Sequence, residues 1–397
     1  MGALRVRESD SGGFFHRTSG KPVCMTPSLF KIAWLRDNEP DALEGDVVVS
    51  DVHGFLLRHL LGRWVTSTAS ADPMGLVDMS TGDWSDALLD LAGLTRQQVP
   101  DLVEPGASVG GLTESGAAHL GLPAGLPVFA GAGDGQAAGL GAGILGPGVA
   151  YLNLGTAIVS GVLSDTYRTD PAFRTMFGAT PGTYFLETDL KGGTFTVNWL
   201  LDRWLPSEDR SVTLRTLSEE AVGLPPGSEG LMLVPYWSGV MNPYWDDDAS
   251  GIVLGWRGHH GPAHLYRAIL EGIAFEQRLH TDAVAEAAGH SVDAFIVMGG
   301  GSTSDLWCQI VADTTGREVI RSATSEATAL GAAILAAVGT GMHPDAESAV
   351  DAMTGSGRRF HPGEHRREYE NLYQDVYRHI YPSLEGVMGR LARTARG

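Results

Sequence analysis

Three glycine-rich turns hold the residues of this sequence best suited to chemistry. The first, Gly131-Ala-Gly-Asp134-Gly-Gln136-Ala-Ala-Gly139, sets one carboxylate between glycines, ahead of a run of small helix-forming residues. Glycines on both sides permit a sharp turn and leave room for a ligand. Free N–H groups at a helix start favour the anion. Asp134 therefore reads either as a general base that takes a proton from a substrate hydroxyl or as an ordinary helix N-cap. From Ser115 to Ser164 it is the only Asp, Glu, Lys or Arg. That stretch reads as a buried core segment, and burying a lone carboxylate is costly.

The second turn is Leu152-Asn-Leu-Gly155-Thr156. Gly and Thr at a hairpin tip can offer backbone N–H groups and a hydroxyl to phosphate oxygens, or they can simply make the turn. The third, Met298-Gly-Gly300-Gly301-Ser-Thr-Ser304-Asp305, opens from a buried apolar run into a helix. It would let a flat ring or a phosphate approach closely, or serve as a tight strand-to-helix connection. Other patterns lead nowhere. Gly141-Ala-Gly143-Ile-Leu-Gly146 fits G-x-G-x-x-G but follows a helix and runs into Pro147, the wrong context for a dinucleotide fingerprint. Gly20-Lys21 lacks the upstream glycine of a Walker A loop, and no G-x-S-x-G elbow occurs. Asp246-Asp-Asp248 reads as a solvated turn, since three adjacent acids cannot all face one ion.

The elements that must position these turns follow from periodicity. Residues 28–62 and 84–93 read as helical, 126–130 as a strand, and Val149–Leu154 with Ala157–Val162 as a hairpin joined by Gly155-Thr156. His264–Ala288 reads as one long helix and Ala294–Met298 as a buried strand, followed by helices over 302–315 and 324–341. In the Arg-, Glu- and Tyr-rich end of the chain, Tyr369–Leu384 reads as a solvated outer helix. Hairpins and strand–Gly–helix units imply α/β layers.

At 397 residues, 43% hydrophobic and 19% charged, the chain is long enough for two or three domains. Its formal net charge of −19 disfavours nucleic acid and anionic membrane surfaces as partners. Met1–Gly13 is polar and has no signal-peptide pattern. Glycine and proline recur too often in the long uncharged stretch for a membrane span. Two isolated cysteines, Cys24 and Cys308, fit a reducing cytoplasm.

Taken in order, these segments resemble the FGGY carbohydrate kinases of the actin/hexokinase/Hsp70-like superfamily. Ser28-Leu-Phe-Lys31-Ile-Ala-Trp34-Leu-Arg-Asp-Asn38 looks like the family's first signature. Gly251-Ile-Val-Leu-Gly255 and His264-Leu-Tyr-Arg-Ala268-Ile-Leu-Glu271-Gly272 are similar to the second, with Trp256 where a smaller aliphatic is usual. Gly299 to Gly301, Asp305 to Gln309 and Ala312-Asp313 resemble the adenosine segment, and Thr328-Ala-Leu-Gly331-Ala-Ala333 the helix after it.

The resemblance implies an α/β, ribonuclease H-like two-domain kinase: a partial N-terminal, sugar-side domain over residues 1–145 and a C-terminal, nucleotide-side domain over 146–397. It implies ATP, with Mg²⁺ arriving on the nucleotide, and a small-molecule sugar as partner, homodimer formation being left open. Asp134 matches the catalytic base, with Gln136 beside it on the substrate. Gly155 and Thr156 match a phosphate loop, Gly193 faces the nucleotide, and Gly300, Gly301, Ser304 and Asp305 line adenine and ribose. Pro235-Tyr-Trp-Ser-Gly239 and Asn242-Pro-Tyr-Trp245 resemble xylulokinase-type pentulose kinases more than glycerol kinases. The family opens on a D-x-G-T/S phosphate hairpin that Met1–Gly13 does not match. The first half of the N-terminal domain is accordingly expected to be absent. The alternative expectation is a catalytically impaired relative that binds nucleotide or sugar.

Overall fold

The computed structural model describes residues 13–396; residues 1–12, on which the reading of the polar start rests, lie outside them. Up to about residue 145 the chain is helical, punctuated by short strands. In order these are α1 (Phe14–Ser19), α2 (Ser28–Asn38), α3 (Val52–Leu61), β1 (Val65–Ser67), α4 (Thr68–Ala71), β2 (Val77–Asp78) and β3 (Asp83–Trp84). They continue with α5 (Asp86–Ala92), β4 (Asp101–Val103), β5 (Ser108–Gly111), α6 (Glu114–Leu120), β6 (Pro127–Phe129) and α7 (Asp134–Gly141). The helical stretch expected over 28–62 is broken: Pro40 opens a 3₁₀ turn and α3 restarts only at Val52, capped by the Asp51 carboxylate on Gly54 N–H. Strands here pair only two by two, β1 with β4 in parallel, and β2 with β3 and β5 with β6 antiparallel. Packing comes instead from a cluster around Phe15, Leu29, Phe30, Leu76, Trp84 and Leu88.

From residue 149 a seven-stranded sheet organises the chain. Its strands and flanking helices are β7 (Val149–Leu154), β8 (Ile158–Ser164), β9 (Arg174–Phe177), β10 (Tyr184–Leu190), α8 (Thr194–Trp204) and α9 (Arg210–Val222). A side ribbon of β11 (Met232–Val234) and β12 (Ile252–Leu254) follows, then α10 (Pro262–Ala288), β13 (Ala294–Met298), α11 (Asp305–Thr315) and β14 (Glu318–Ser322). The chain ends with α12 (Ala327–Gly339), α13 (Ala346–Met353), β15 (Ser356–Phe360), α14 (Arg366–Leu372) and α15 (Arg378–Arg396). The sheet order is β15-β14-β13-β7-β8-β10-β9. β13 lies parallel to both β7 and β14, and the remaining pairs are antiparallel. The largest core packs α10 and α11 against this sheet through Leu152, Ile269, Phe275, Phe295 and Trp307.

The C-terminal helices differ from expectation. Tyr369, Tyr373, Tyr377 and Tyr381 are buried in the main core rather than solvated. A π-helical turn over Tyr373–Tyr377 joins α14 to α15. The Tyr377 ring stacks on Phe275 at 4.8 Å. Tyr369 and Tyr377 hydroxyls donate to Glu271 and Glu276 of α10 at 2.8 and 2.7 Å. Their polar tips disguised these tyrosines as surface residues; buried acids on α10 satisfy them.

Candidate active site

Asp134 is the first residue of α7, after an extended Gly133. Its Oδ1 accepts the Gly135 N–H at 2.8 Å, and Oδ2 has no partner among the described residues. The expected burial is wrong: the residue is exposed. An uncharged run is not a buried one. Leu120, Leu122 and Leu126 within it are also exposed, so the stretch includes surface loops built of Gly, Pro and Ala. Exposure removes the desolvation cost that a buried carboxylate would carry.

Three features fix that carboxylate in place. Thr328 Oγ1 on α12 donates to the Asp134 carbonyl at 3.3 Å. α7 and α12 cross at backbone contact: a Cβ on Gly331 would lie 1.9 Å from the Ala137 carbonyl, and one on Gly141 would lie 1.9 Å from that of Ala327. Gln136, expected on the substrate, instead points inward. It is 3% exposed, and its amide nitrogen donates to Ala69 O at 2.8 Å. Gln136 therefore ties α7 to α4.

Beneath Gly135 runs a buried polar ladder that the sequence did not announce. Tyr151 donates to Glu187 Oε2 at 2.5 Å, and Arg174 Nε donates to Glu187 Oε1 at 2.6 Å. Burial, reinforced by the Glu187 charge, holds the Tyr151 phenol well above its ordinary range. Further along, Lys21 Nζ lies 3.5 Å from Asp72 Oδ2, which also accepts the Phe177 N–H. Burial pushes the Asp72 carboxyl up to about 6 against the opposing pull of Lys21, and pushes the Lys21 amine down. The two shifts agree in direction: the dry pocket favours the neutral pair. Partners separated by 36, 13 and 51 residues gave no local signal.

On the same sheet, β7 carries Tyr151 at the ladder and ends at Leu154, ~10 Å further on at about 3.3 Å per residue. The hairpin tip is three residues long, Gly155 to Ala157, rather than two, because Leu154 pairs with Ile158. Thr156 stands exposed at the tip. Gly193 is buried behind it: a Cβ there would sit 2.8 Å from the Gly155 and Thr156 carbonyls. Thr194 and Phe195 donate their N–H groups to those carbonyls at 2.9 and 3.2 Å. Gly193 thus braces the hairpin from behind, next to Thr194 at the edge of the neighbouring cavity.

Beside it opens a cavity of about 750 Å³, lined by Thr194, Asn198, Leu214, Tyr266, Gly300, Gly301, Ser304 and Asp305. The 3₁₀ turn Gly300–Thr303 comes close to β7, for a Cβ on Gly301 would lie 2.9 Å from Leu154 Cβ. Ser304 caps α11 through Trp307 N–H. Asp305 is paired with Arg321 at 2.7 Å and with Arg358, so its charge is already met. Four of the expected nucleotide residues therefore share one chamber. Among the described residues no set of three His, Cys, Asp or Glu side chains is arranged to hold a metal ion, and no helix is long and apolar enough to cross a membrane.

Comparison with known proteins identifies the family. The N-terminal domain of the FGGY family of carbohydrate kinases matches residues 5–141, and the family's C-terminal domain matches residues 150–340. The N-terminal match gives no support of its own to the expected loss of the family's opening segment. An uncharacterized sugar kinase of Escherichia coli (strain K12) is 33% identical over 342 residues, spanning 83% of this chain and 69% of that protein. A glycerol kinase of Chloroflexus aggregans is 33% identical over 350 residues, spanning 82% of this chain and 66% of that protein. The chain thus spans about two thirds of the length of these relatives. Among solved structures, xylulose kinase from Rhodospirillum rubrum superposes with a TM-score of 0.88 at 30% identity, over 98% of this chain and 78% of that one. With both domains matched in order, this chain belongs to the FGGY family of carbohydrate kinases.

Proposed function

We propose that this chain transfers the γ-phosphoryl group of ATP to a hydroxyl of a sugar, with a pentulose such as xylulose as the acceptor. One observation carries the reading: the Asp134 carboxylate keeps a free oxygen at a helix start, beside the strand that leads to the Gly155–Ala157 hairpin and the Gly300–Asp305 chamber. In this reading the nucleoside occupies the chamber and the polyphosphate runs out along the hairpin, where Gly155 and Thr156 offer N–H and hydroxyl donors.

The acceptor hydroxyl lies between Asp134 and the γ-phosphorus. Its proton passes to Asp134 Oδ2 while its oxygen bonds to phosphorus and the bond from phosphorus to the β–γ bridging oxygen breaks, leaving ADP. In so loose a transition state the protein contributes chiefly position and charge. Mg²⁺ would arrive on the phosphates, keeping most of its waters, and would neutralise phosphate charge when bound. Holding Asp134 still is the work of Gln136, Thr328 and the α7–α12 contact. The pentulose preference rests on the Pro235–Gly239 and Asn242–Trp245 segments and on the likeness to a xylulose kinase. The likeness to a glycerol kinase, at 33% identity against 30% for the xylulose kinase structure, makes glycerol the competing acceptor.

ADP release measured against xylulose, other pentuloses, hexuloses and glycerol tests both parts. Turnover that is fastest with a pentulose supports the whole reading. Turnover fastest with glycerol overturns the acceptor assignment alone. Micromolar nucleotide binding with no turnover on any acceptor overturns the enzyme and leaves a nucleotide-binding protein. Asp134→Asn is expected to lower kcat by about 10³-fold, within the 10²–10⁴ range of general-base loss, with nucleotide affinity unchanged.

A further inference from the structure

We infer that neutral His53 is a positioning residue that latches the turn bearing Asp134, and that protonating its ring opens the latch. The inference deepens the proposed function, since it assigns a second residue to the placement of the same base.

His53 is the second residue of α3 and half-buried, far from Asp134 in sequence. Its Nε2 accepts the Gly131 N–H at 3.0 Å, three residues ahead of Asp134. Its Nδ1 lies 3.0 Å from Thr66 Oγ1, whose own hydroxyl donates to Asp51 Oδ2 at 3.0 Å. Asp51 Oδ1 meanwhile caps α3 by accepting Gly54 N–H at 3.0 Å. Directions along this chain are forced. A backbone N–H can only donate, so Nε2 must be bare. The one ring hydrogen then sits on Nδ1 and goes to Thr66, whose hydrogen is spent on Asp51. The Ser67 N–H approaches Nδ1 only at 3.4 Å. As the longest of the three contacts it is the weakest, and the two 3.0 Å contacts set the tautomer.

The result is a relay from Asp51 through Thr66 and His53 to Gly131. A second backbone hydrogen bond anchors the same turn, for Gly133 N–H donates to the Ala69 carbonyl at 3.0 Å. These two ties hold either side of Ala132 and set the entry into α7. Protonation gives the ring a hydrogen on Nε2, aimed at the Gly131 N–H. That contact becomes donor against donor, and the Gly131 tie is lost.

Burial pushes the His53 pKa below the ordinary histidine value, and the facing Asp51 carboxylate partly opposes this. The other facing groups, Thr66, Ser67 and Gly131, do not titrate in this range. The unfolded chain takes up the proton first as pH falls. Acid therefore disfavours the latched form, and the latch is closed at neutral pH.

The test follows individual amides and the ring itself by NMR from pH 8 to pH 5, on the full chain and two variants. In the wild type the ring is expected as the Nδ1–H tautomer at pH 7.5. Gly131 should be protected from exchange there and lose protection at least tenfold as the ring signal titrates. His53→Gln places an uncharged amide oxygen near the Nε2 position and should keep Gly131 protected at every pH. His53→Ala should leave it unprotected throughout while core amides such as Leu152 stay protected, which separates an opened latch from an unfolded chain. In turnover, His53→Ala is expected to lower kcat tenfold or more with the nucleotide KM changed less than twofold, and His53→Gln to recover most of it. An Nε2–H tautomer, or Gly131 protection in His53→Ala equal to wild type, overturns the inference. So does a His53→Ala kcat equal to that of a working wild type. A wild type that turns over no sugar would sink the proposed function alone, and the exchange data would still decide the latch.

Discussion

A carboxylate that takes a proton needs one oxygen held and one left open, and Asp134 has both. Its neighbour Gly135 shows how little room that arrangement leaves. A Cβ at Gly135 would lie 2.7 Å from Glu187 Oε2 and 3.1 Å from the Tyr151 hydroxyl. Neither group can yield freely: Tyr151 holds Glu187, Arg174 holds the other oxygen, and all three are buried or nearly so. Gly135→Ala should therefore destabilise the fold by about 1–3 kcal/mol through overpacking. It should also lower turnover at temperatures where the protein is still folded, because relief of the clash tilts the start of α7. Unfolding by denaturant and initial rates at 20 °C check the two parts; unchanged values of both would show that the ladder gives way. At this scale the sequence was half legible. Asp134 stood out by its isolation, but the reason inferred for that isolation, burial, was wrong. Acids that really are buried, Asp72, Glu187, Glu271 and Glu276 among them, were hidden among ordinary charged residues. Their partners Lys21, Arg174, Arg267 and Tyr377 come close only after folding, except where an i,i+4 pair such as Arg267–Glu271 lies along one helix.

Between elements, a join at backbone contact links the two halves of the candidate site. α7 carries the base, α12 follows the nucleotide-side strand β14, and they meet with glycines facing carbonyls. Glycine within a helix costs about 1 kcal/mol relative to alanine, so two of them at one crossing mark a place where close approach outweighs propensity. Gly331→Ala would put a methyl 1.9 Å from the Ala137 carbonyl, backbone against side chain, with no flexible group to move. The helix must shift, and α7 with it. The expected outcome is a loss of roughly 3 kcal/mol, the upper end of overpacking costs, with a fall in kcat greater than that of nucleotide affinity. Chemical unfolding and nucleotide titration measure these; a stable Gly331→Ala protein with normal kcat would show that the crossing has slack. The small-residue run over 324–341 made this helix legible, and the strand–Gly–helix order made the sheet legible. Pairing detail was not. The hairpin gained a residue because Ile158, not Ala157, closes the ladder with Leu154. The tyrosines of α14 and α15 were misread because period alone does not tell a buried stripe with satisfied hydroxyls from a wet one.

For the molecule as a whole, the sheet that supports the nucleotide side is continuous over seven strands, whereas the described residues before 145 form only two-stranded pieces. The two sides are held together by contacts that cross between them: α7 on α12, Lys21 and Asp72 reaching Phe177, and Gly20 O accepting Thr175 N–H. Net charge acts against that union. Asp and Glu number 47 against 28 Lys and Arg, an excess of 19 negative charges on 397 residues. Self-repulsion of this kind is long-ranged and screened once the Debye length falls to about 8 Å, near 0.15 M salt. Salt also weakens exposed ion pairs such as Arg210–Asp202, but these contribute only ~0–1 kcal/mol each. Repulsion summed over the surplus should outweigh them. The midpoint of thermal unfolding should thus rise between about 10 and 150 mM NaCl, by ~1 °C for each kcal/mol of repulsion relieved, given ~2.1 cal/mol/K of unfolding entropy per residue. Separately, a bound nucleotide at 100 times its Kd adds about 2.7 kcal/mol, and that increment should be equal in wild type and Asp134→Asn, because Asp134 does not line the chamber proposed for the nucleoside. Differential scanning across a grid of salt and ADP separates the two effects. A midpoint that falls with salt would mean that ion pairs govern the union, and an ADP increment missing only from Asp134→Asn would place the carboxylate in the nucleotide site instead of beside it.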